Sequence, residues 1–450
     1  MPESKAPKYK NVIIAIEVAN RELDNALLLK VELERRGYSV RIMSKTEELS
    51  NSPADILITP NCYIKADYDF YRYRFNCPSG MLVNLQYEQV LSPIEENNEL
   101  YSLDATSKEI THICWGRHTV ERLTGKGVKA ENLPITGAIQ LDTTRPMFDS
   151  RWRSREEIAS EFGLDLSQKW ILYISTFATM SDGLINEAQK KGHTEENVDA
   201  FAAVTEKSQA ETLLWFDRFL SDDGFSDYTV IYRPHPVELS SPGVTKMREK
   251  HPDRFRVIQD YEIKQWLKVA DIPCTWISTA ISESYFVGKN CLVFRPSEVP
   301  HDVDCVIYEG VKAAKTYDEF LNQIEAYNPS VEAFPIDRNL IEYYYDFSPV
   351  PAFRKITDVI DIQKPRVSDV SSFEKERREY LKADKIKLKL AAKKIYRAWY
   401  KLTGVKLGSK KLRSKFFIEE WEKTVDNKIN SEELIAKKQE FFRKMIERDI

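Results

Sequence analysis

A chain of 450 residues has room for two or three domains, and 42% hydrophobic with 30% charged residues is the balance of a water-soluble globular protein. A formal net charge of −4 excludes a chain that binds polyanions with its whole surface. The six cysteines, Cys62, Cys77, Cys114, Cys274, Cys291 and Cys305, are scattered, with no C-x-x-C pair and no zinc-ligand spacing, which fits reduced, mostly buried thiols of a cytosolic protein.

The first ten residues, MPESKAPKYK, are polar, and no apolar run reaches spanning length; neither a signal peptide nor a membrane span is expected. Residues 11–18 (NVIIAIEV) form a near-continuous apolar run and predict a fully buried parallel strand. Residues 21–36 carry helical periodicity, with Gly37 as the C-cap, and 38–43 (YSVRIM) predict the next strand. Further strands are predicted at 54–59, 81–85, 110–115 and 133–136. Strands alternating with helices argue for a doubly wound parallel sheet. No G-x-G-x-x-G follows the first strand, which argues against a dinucleotide site there.

Residues 137–154 interrupt the pattern and mark the domain junction. A second α/β series follows. A helix is predicted at 155–162, a strand at 169–175 (KWILYIS), then a Thr/Ser/Gly loop (TFATMSDG) and a helix at 208–220. Strands at 228–232, 255–258, 275–278 and 291–294 alternate with helices at 263–269 and 281–287. Helices at 316–327, with Thr316 as N-cap, and at 339–345 close the series. The expected organisation is a Rossmann-like domain over 1–148, a second over 149–365 and a helical basic tail over 366–450.

The tail is chemically distinct. Residues 381–417 hold thirteen Lys or Arg and one acid, Asp384, a net of +12 against −4 for the whole chain, so the remainder carries −16. Leu388, Ala391, Ala392, Ile395, Trp399 and Leu402 recur at three-and-four spacing with lysines opposite, the pattern of a basic amphipathic helix. Such a helix lies on an anionic membrane surface, where each nearby Lys or Arg contributes roughly 1 kcal/mol, or docks on the acidic body of the protein or on another subunit. Nucleic acid is not expected as a partner, because no aromatic-basic sheet motif accompanies the charge.

The stretch YTVIYRPHPVE, 228–238, runs from a buried strand into a proline-stiffened loop at the sheet's carboxyl edge, where open α/β sheets bind ligands. Arg233 can fork onto a phosphate, and His235 can donate to a leaving phosphate or act as a general acid. Some forty residues on, STAISE (278–283) places Ser278 and Thr279 before a helix, hydroxyls and N–H groups suited to phosphate, with Glu283 able to take a ribose diol. Two such domains are expected to make a cleft between their carboxyl edges.

These residues bring out a resemblance. IAIEVANRELDNALLLKVELERRGYSV, NLQYEQ, CWG, PITGAIQLD, KWILYISTF, YRPHP and STAISESYFVGKN, in that order over roughly 11–300, resemble a GT-B glycosyltransferase of the bacterial surface-carbohydrate-biosynthesis type. That group includes capsule and O-antigen Kdo transferases and, more remotely, HP-motif sialyltransferases and teichoic-acid CDP-glycerol polymerases. The resemblance implies two Rossmann-like domains, the first for the acceptor and the second for a CMP-activated sugar donor. His235 would meet the donor phosphate, with Ser278 and Thr279 beside it and Glu283 on the ribose. It further implies no cofactor and no bound metal; no D-x-D stands at a strand end. The acceptor would be lipid-linked or an oligosaccharide, and the protein cytoplasmic and peripheral on the inner face of the cell membrane.

A Kdo-type donor passes through an oxocarbenium-like transition state, which calls for a carboxylate near the anomeric carbon and a base for the acceptor hydroxyl. The candidates are Glu17, Glu88 and Asp182, with Arg21 able to hold the donor's carboxylate and His118 a weaker choice. Asp222-Asp223-Gly224 matches the letters of the sialyltransferase acidic motif, but stands too near Pro234 and reads as a surface turn. The expected activity is transfer of a CMP-activated acidic sugar, Kdo first, in capsule or lipopolysaccharide O-antigen synthesis. The rivals are a CDP-glycerol or CDP-ribitol phosphotransferase, which usually depends on a further first-domain histidine (His112 or His118 here), a nucleotide-sugar 2-epimerase, and a non-catalytic nucleotide-binding scaffold.

Overall fold

The computed structural model describes residues 11–17, 19–45, 48–98, 103–177, 185, 188–189, 192–235, 238, 241–346, 348–363, 370–405 and 432–448. The chain divides into two compact units, the first made of Met1–Gln89, Leu103–Asp142 and Asp346–Ile450, the second of Val90–Ser102 and Thr143–Tyr345. The division differs from the expected boundaries. The junction lies at Asp142/Thr143, the second unit ends at Tyr345 rather than at 365, and 366–450 belong to the first unit instead of forming a separate tail. Hydrogen bonds explain the return. Asp346 N–H donates to the Trp115 carbonyl at 2.7 Å, and the buried Asp142 carboxylate accepts from Ala352 N (2.9 Å) and Phe353 N (2.7 Å), capping the helix Ala352–Asp361.

The first unit is built on a parallel sheet of β1 (Asn11–Ile16), β2 (Ser39–Ser44), β3 (Ile56–Thr59), β4 (Leu82–Asn84) and β5 (Thr111–His112), in the order β2-β1-β3-β4-β5. Val12 to Ile16 are all buried, as their unbroken apolar run requires. The predicted strand at 133–136 shrinks to one bridge, Cys114 to Ile135. The helix Ala19–Arg35 follows β1, and later segments close on this region. Arg36 Nη1 bonds Asp358 and Asp361, both at 2.6 Å. Tyr73 OH donates to Glu376 at 2.9 Å, and Lys438 pairs with Asp24 at 2.8 Å.

One buried polar pair stitches this sheet. His112 Nε2 lies 2.8 Å from the Ser107 carbonyl, which can only accept, so Nε2 carries the proton. Nδ1 is then the acceptor for Asn84 Nδ2 at 3.1 Å, and the same Asn84 amide also donates to the Cys62 carbonyl at 3.0 Å. Burial pushes the His112 pKa down to about 4. The unfolded chain binds this proton near its ordinary value of 6.5, the folded chain only near 4. Stability from this group is thus present above that range and lost as pH falls through it, at up to about 1.4 kcal/mol per pH unit. Urea unfolding between about pH 7 and pH 4.5 is expected to show that slope flattened in His112→Gln; an unchanged slope would contradict it.

The second unit carries β6 (Lys169–Ile174), β7 (Tyr228–Arg233), β8 (Phe255–Val257), β9 (Ile272–Thr275) and β10 (Leu292–Val293), all parallel, in the order β10-β9-β6-β7-β8. Alternation sorts its apolar runs onto two faces. Ile171, Tyr173, Val230 and Tyr232 meet Trp215, Phe216 and Phe219 of the helix Glu195–Ser221. Trp170, Leu172, Ile174 and Ile231 meet Ile158, Trp266 and Leu267 on the other face. The helix Glu195–Ser221 starts well before the predicted 208, because Thr194 and Asn197 form a capping box. The helix Arg155–Phe162 matches its predicted span, with Ser154 and Glu157 as capping box and Gly163 left-handed at φ 61°.

β9 departs from expectation. It was predicted at 275–278 and runs instead from Ile272 to Thr275, with Pro273 inside it. A proline is tolerated here because β10 pairs only with Cys274 and Thr275, leaving Pro273 paired on one side, to Leu172. Ser278 and Thr279 therefore do not end a strand; they lie in the loop between β9 and the helix Ala280–Phe286.

Candidate functional site

In each unit the strand order reverses at one point, and the loops leaving the flanking strands are where an open α/β sheet binds ligands. In the second unit that point lies between β6 and β9, with β7 next to β6. The loops after β6, β7 and β9 carry Ser175, the Arg233–His235 segment and Ser278–Thr279.

Glu238 organises the loop after β7. Its carboxylate accepts from Ser175 Oγ (2.6 Å), Tyr232 OH (2.6 Å), Gln209 Nε2 (3.0 Å) and the His235 backbone N–H (3.0 Å). Burial pushes its carboxyl pKa up, against those donors, which favour the ionised form. Four donors from separate elements thereby fix where the chain turns after Pro234. The His235 imidazole is partly buried, which lowers its pKa from 6.5 and keeps it neutral at pH 7.

Arg233 ends β7 with its guanidinium on the carbonyls of Asp260 (2.7 Å from Nη1) and Tyr261, so it holds the loop after β8 as well as offering charge. Burial lowers its pKa to about 10, opposed by the carboxylates of Glu283, Asp260 and Glu262. Glu283 is the unusual group. Burial raises its carboxyl pKa, partly offset by the Lys264 ammonium. Its Oε2 is buried without a hydrogen-bond partner among the described residues. An acceptor left unmet in that way is costly unless a donor from beyond the described residues reaches it. Lys264 pairs with Glu262 at 3.1 Å, so the loop after β8 and the first turn of the helix Ile263–Val269 bring opposite charges up to Glu283. On the neighbouring loop, Ser278 is buried, its carbonyl receiving Tyr308 OH at 2.7 Å and its Oγ receiving Ala280 N–H at 3.2 Å, while Thr279 is exposed.

In the first unit the reversal lies between β1 and β3. Glu17, just past β1, meets Lys45 at 3.1 Å and Asn61, past β3, at 3.0 Å. Arg21 binds the fully buried Glu22 at 2.9 Å and stands 3.9 Å from Glu88. Glu22 also receives the Glu17 backbone N–H at 2.7 Å. Glu17, Arg21 and Glu88 are thus gathered at one sheet edge. Asp182 lies outside the described residues. Asp222 accepts Gly224 N–H at 2.8 Å in an exposed turn before β7, at the sheet's amino edge and away from Arg233. His118 is buried within the helix Arg117–Gly125. Among the described residues no group of three His, Cys, Asp or Glu side chains is placed to hold a metal ion.

Sequence reasoning did not single out Glu238, Glu262 or Lys264 in the second unit, nor Glu22, Lys45 or Asn61 in the first. Glu238 stands at the end of the stretch YTVIYRPHPVE, and an acid three residues beyond the histidine that follows a buried strand is the available signal.

No protein-family profile matches the sequence. No curated protein matches it either. Solved structures do. A variant of the wall teichoic acid polymerase TagF aligns with a TM-score of 0.51 at 11% identity, covering 84% of this chain and 92% of that one. The fold is GT-B. The S. aureus MnaA–UDP structure gives 0.49 at 14% identity over 80% and 99%, and the Neisseria meningitidis UDP-GlcNAc 2-epimerase bound to UDP-GlcNAc gives 0.46 at 12% over 78% and 99%. At these identities the likeness concerns the GT-B architecture, two parallel-sheet α/β units, and not the chemistry.

Removing the Glu238 carboxylate leaves Tyr232 OH only Ser175 Oγ (3.0 Å) as acceptor, takes the acceptor from the Ser175 hydroxyl and frees the turn after β7. Glu238→Ala is expected to lower stability by about 2–4 kcal/mol in urea unfolding, with Glu238→Gln losing roughly half as much. A loss in the alanine variant below about 0.5 kcal/mol would show that the carboxylate does not anchor the loop.

Proposed function

We propose that the protein is a GT-B glycosyltransferase whose second unit holds a nucleotide-activated sugar, with a CMP-activated acidic sugar, Kdo first, as donor. The observation that carries the reading is the buried, unmet carboxylate oxygen of Glu283, in the first turn of the helix that Ser278 and Thr279 precede and in the field of Arg233. A ribose diol supplies two O–H donors to such a carboxylate, and the neutral His235 with the Ser278–Thr279 hydroxyls suits the phosphate beside it. The resemblance of YRPHP and STAISE to the surface-carbohydrate transferases supports the same assignment, and the shared fold supports its GT-B part alone.

In this reading a carboxylate drawn from Glu17, Glu88 and Asp182 stabilises the oxocarbenium-like centre or takes the acceptor's proton. Arg21 offers its charge to the donor's own carboxylate while Glu22 holds it in place. The product would extend a lipid-linked or oligosaccharide acceptor of a capsule or lipopolysaccharide glycan on the cytoplasmic side of the membrane, without a bound metal. A CDP-glycerol or CDP-ribitol phosphotransferase is less well supported, because His112 is locked as a buried neutral imidazole between Ser107 and Asn84, and His118 is buried within the helix Arg117–Gly125.

The test is calorimetric titration with CMP, CDP, UMP and GMP, beside His235→Ala and Glu283→Gln. CMP is expected to bind in the presence of EDTA, and Glu283→Gln to weaken it roughly ten- to a hundredfold, about 1.5–3 kcal/mol. Tighter binding of UMP would replace the Kdo assignment with a UDP-sugar transferase or an epimerase. No binding of any nucleotide would overturn the reading, and CMP binding without transfer from any CMP-activated sugar would leave the non-catalytic nucleotide-binding scaffold.

A further inference from the structure

The helix Ile386–Thr403 (IKLKLAAKKIYRAWYKLT) contains six basic residues and no acid. It has two unlike faces. On one, Ile386, Lys393 and Tyr396 are 1%, 3% and 7% exposed and belong to the body of the first unit. On the other, Leu388, Ile395, Trp399 and Leu402 are 63%, 72%, 42% and 86% exposed. Their spacings of seven, four and three residues put them on one line along a helix of 3.6 residues per turn. Ala391 and Ala398 complete the stripe, and Lys387 and Lys394, both exposed, run along its border.

A contiguous apolar stripe of this kind is not ordinary surface. The contrast within the same unit is direct. The helix Glu432–Arg448 is of similar length and also amphipathic, but its charges are mixed and its apolar residues Phe442, Met445 and Ile446 are buried. The helix Val370–Ala383 likewise buries Phe373 and Leu381. Docking on the acidic body would cover the stripe of Ile386–Thr403, and among the described residues nothing covers it.

We infer that the Leu388–Ile395–Trp399–Leu402 stripe with its lysine border is a membrane-interface surface that seats the protein on an anionic phospholipid bilayer. Apolar side chains enter the acyl boundary, the tryptophan sits at headgroup depth where its ring and N–H are both satisfied, and the bordering lysines meet lipid phosphates. Charge selects the occupant. A neutral apolar partner gains nothing from a border free of acids, and a second copy would set lysine against lysine. No helix among the described residues is long and apolar enough to cross a membrane, so the attachment is to the surface.

The experiment uses the full chain with vesicles of phosphatidylcholine alone and of phosphatidylcholine mixed with phosphatidylglycerol. Sedimentation is expected to show binding to the mixed vesicles, at least about tenfold stronger than to phosphatidylcholine alone and weakened by salt. Ile395→Glu with Leu402→Glu, and separately Lys387→Glu with Lys394→Glu, should each lower it about tenfold or more. Both pairs are exposed, so far-UV circular dichroism and nucleotide binding should stay as in the parent. A blue shift of tryptophan emission on mixed vesicles should be reduced in Trp399→Phe. Equal binding by the variants, no preference for anionic lipid, or no binding at low salt would overturn the inference. So would a dimer that the Ile395→Glu/Leu402→Glu variant dissolves, or closure of the stripe by the chain's own residues 406–431.

Discussion

The carboxylate of Glu238 is the point on which the second unit's candidate site depends. A partly buried acid costs more to ionise than an exposed one, and the donors that stabilise it come from the end of β6 (Ser175), the middle of a long helix (Gln209), the strand that precedes it (Tyr232) and the turn itself (His235 N–H). Because each donor belongs to a different element, the turn cannot shift without breaking bonds in several places at once. A loop that would otherwise rely on two prolines is held by side-chain chemistry, and His235 inherits its position from that network. Arg233 extends the same logic to the next loop by gripping the Asp260 and Tyr261 carbonyls.

The two units use different strand orders to the same end. In the first, the reversal falls beside β1, so Glu17 and Asn61 become neighbours across the sheet edge. In the second it falls between β6 and β9, which is why the loops bearing Ser175 and Ser278 leave adjacent strands although they are far apart in sequence. A parallel sheet aligns all its carboxyl ends, and the polar residues too costly to bury collect there.

What could be read from the letters follows from where burial is two-sided. KWILYI and YTVIYR announce themselves because both faces of each strand are covered, and the Ser154–Gly163 helix carries its own start and stop signals. The helix Lys65–Arg74 was not read, since KADYDFYRYR buries tyrosines and an arginine rather than aliphatic residues, and its periodicity is invisible to a count of apolar letters. The helix Pro242–Lys250 was hidden by a Pro-Gly pair that looks like a turn, although proline is at home at a helix's first position. β9 lies off its expected span because it contains Pro273, a residue disfavoured inside strands. At the site, Glu283 was legible as an acid near a helix start; Glu238 was not, because its role rests on Ser175 and Gln209, distant partners that only the fold brings together.

The return of the chain to the first unit at Asp346 has a consequence for how the protein is made. All five strands of the first sheet have been synthesised by His112, but the helix that Asp142 caps, and the segment whose Asp346 N–H meets the Trp115 carbonyl, emerge only after the whole second unit. The second unit has every one of its pieces on hand by Tyr345 and can close while synthesis continues. The first unit must meanwhile keep a nearly complete sheet waiting, with Asp142 uncommitted and one side of the helix Ala19–Arg35 uncovered. The earliest-made part of the protein is thus the last to finish folding, and a ribosome that stalls late leaves the second unit intact and the first one open.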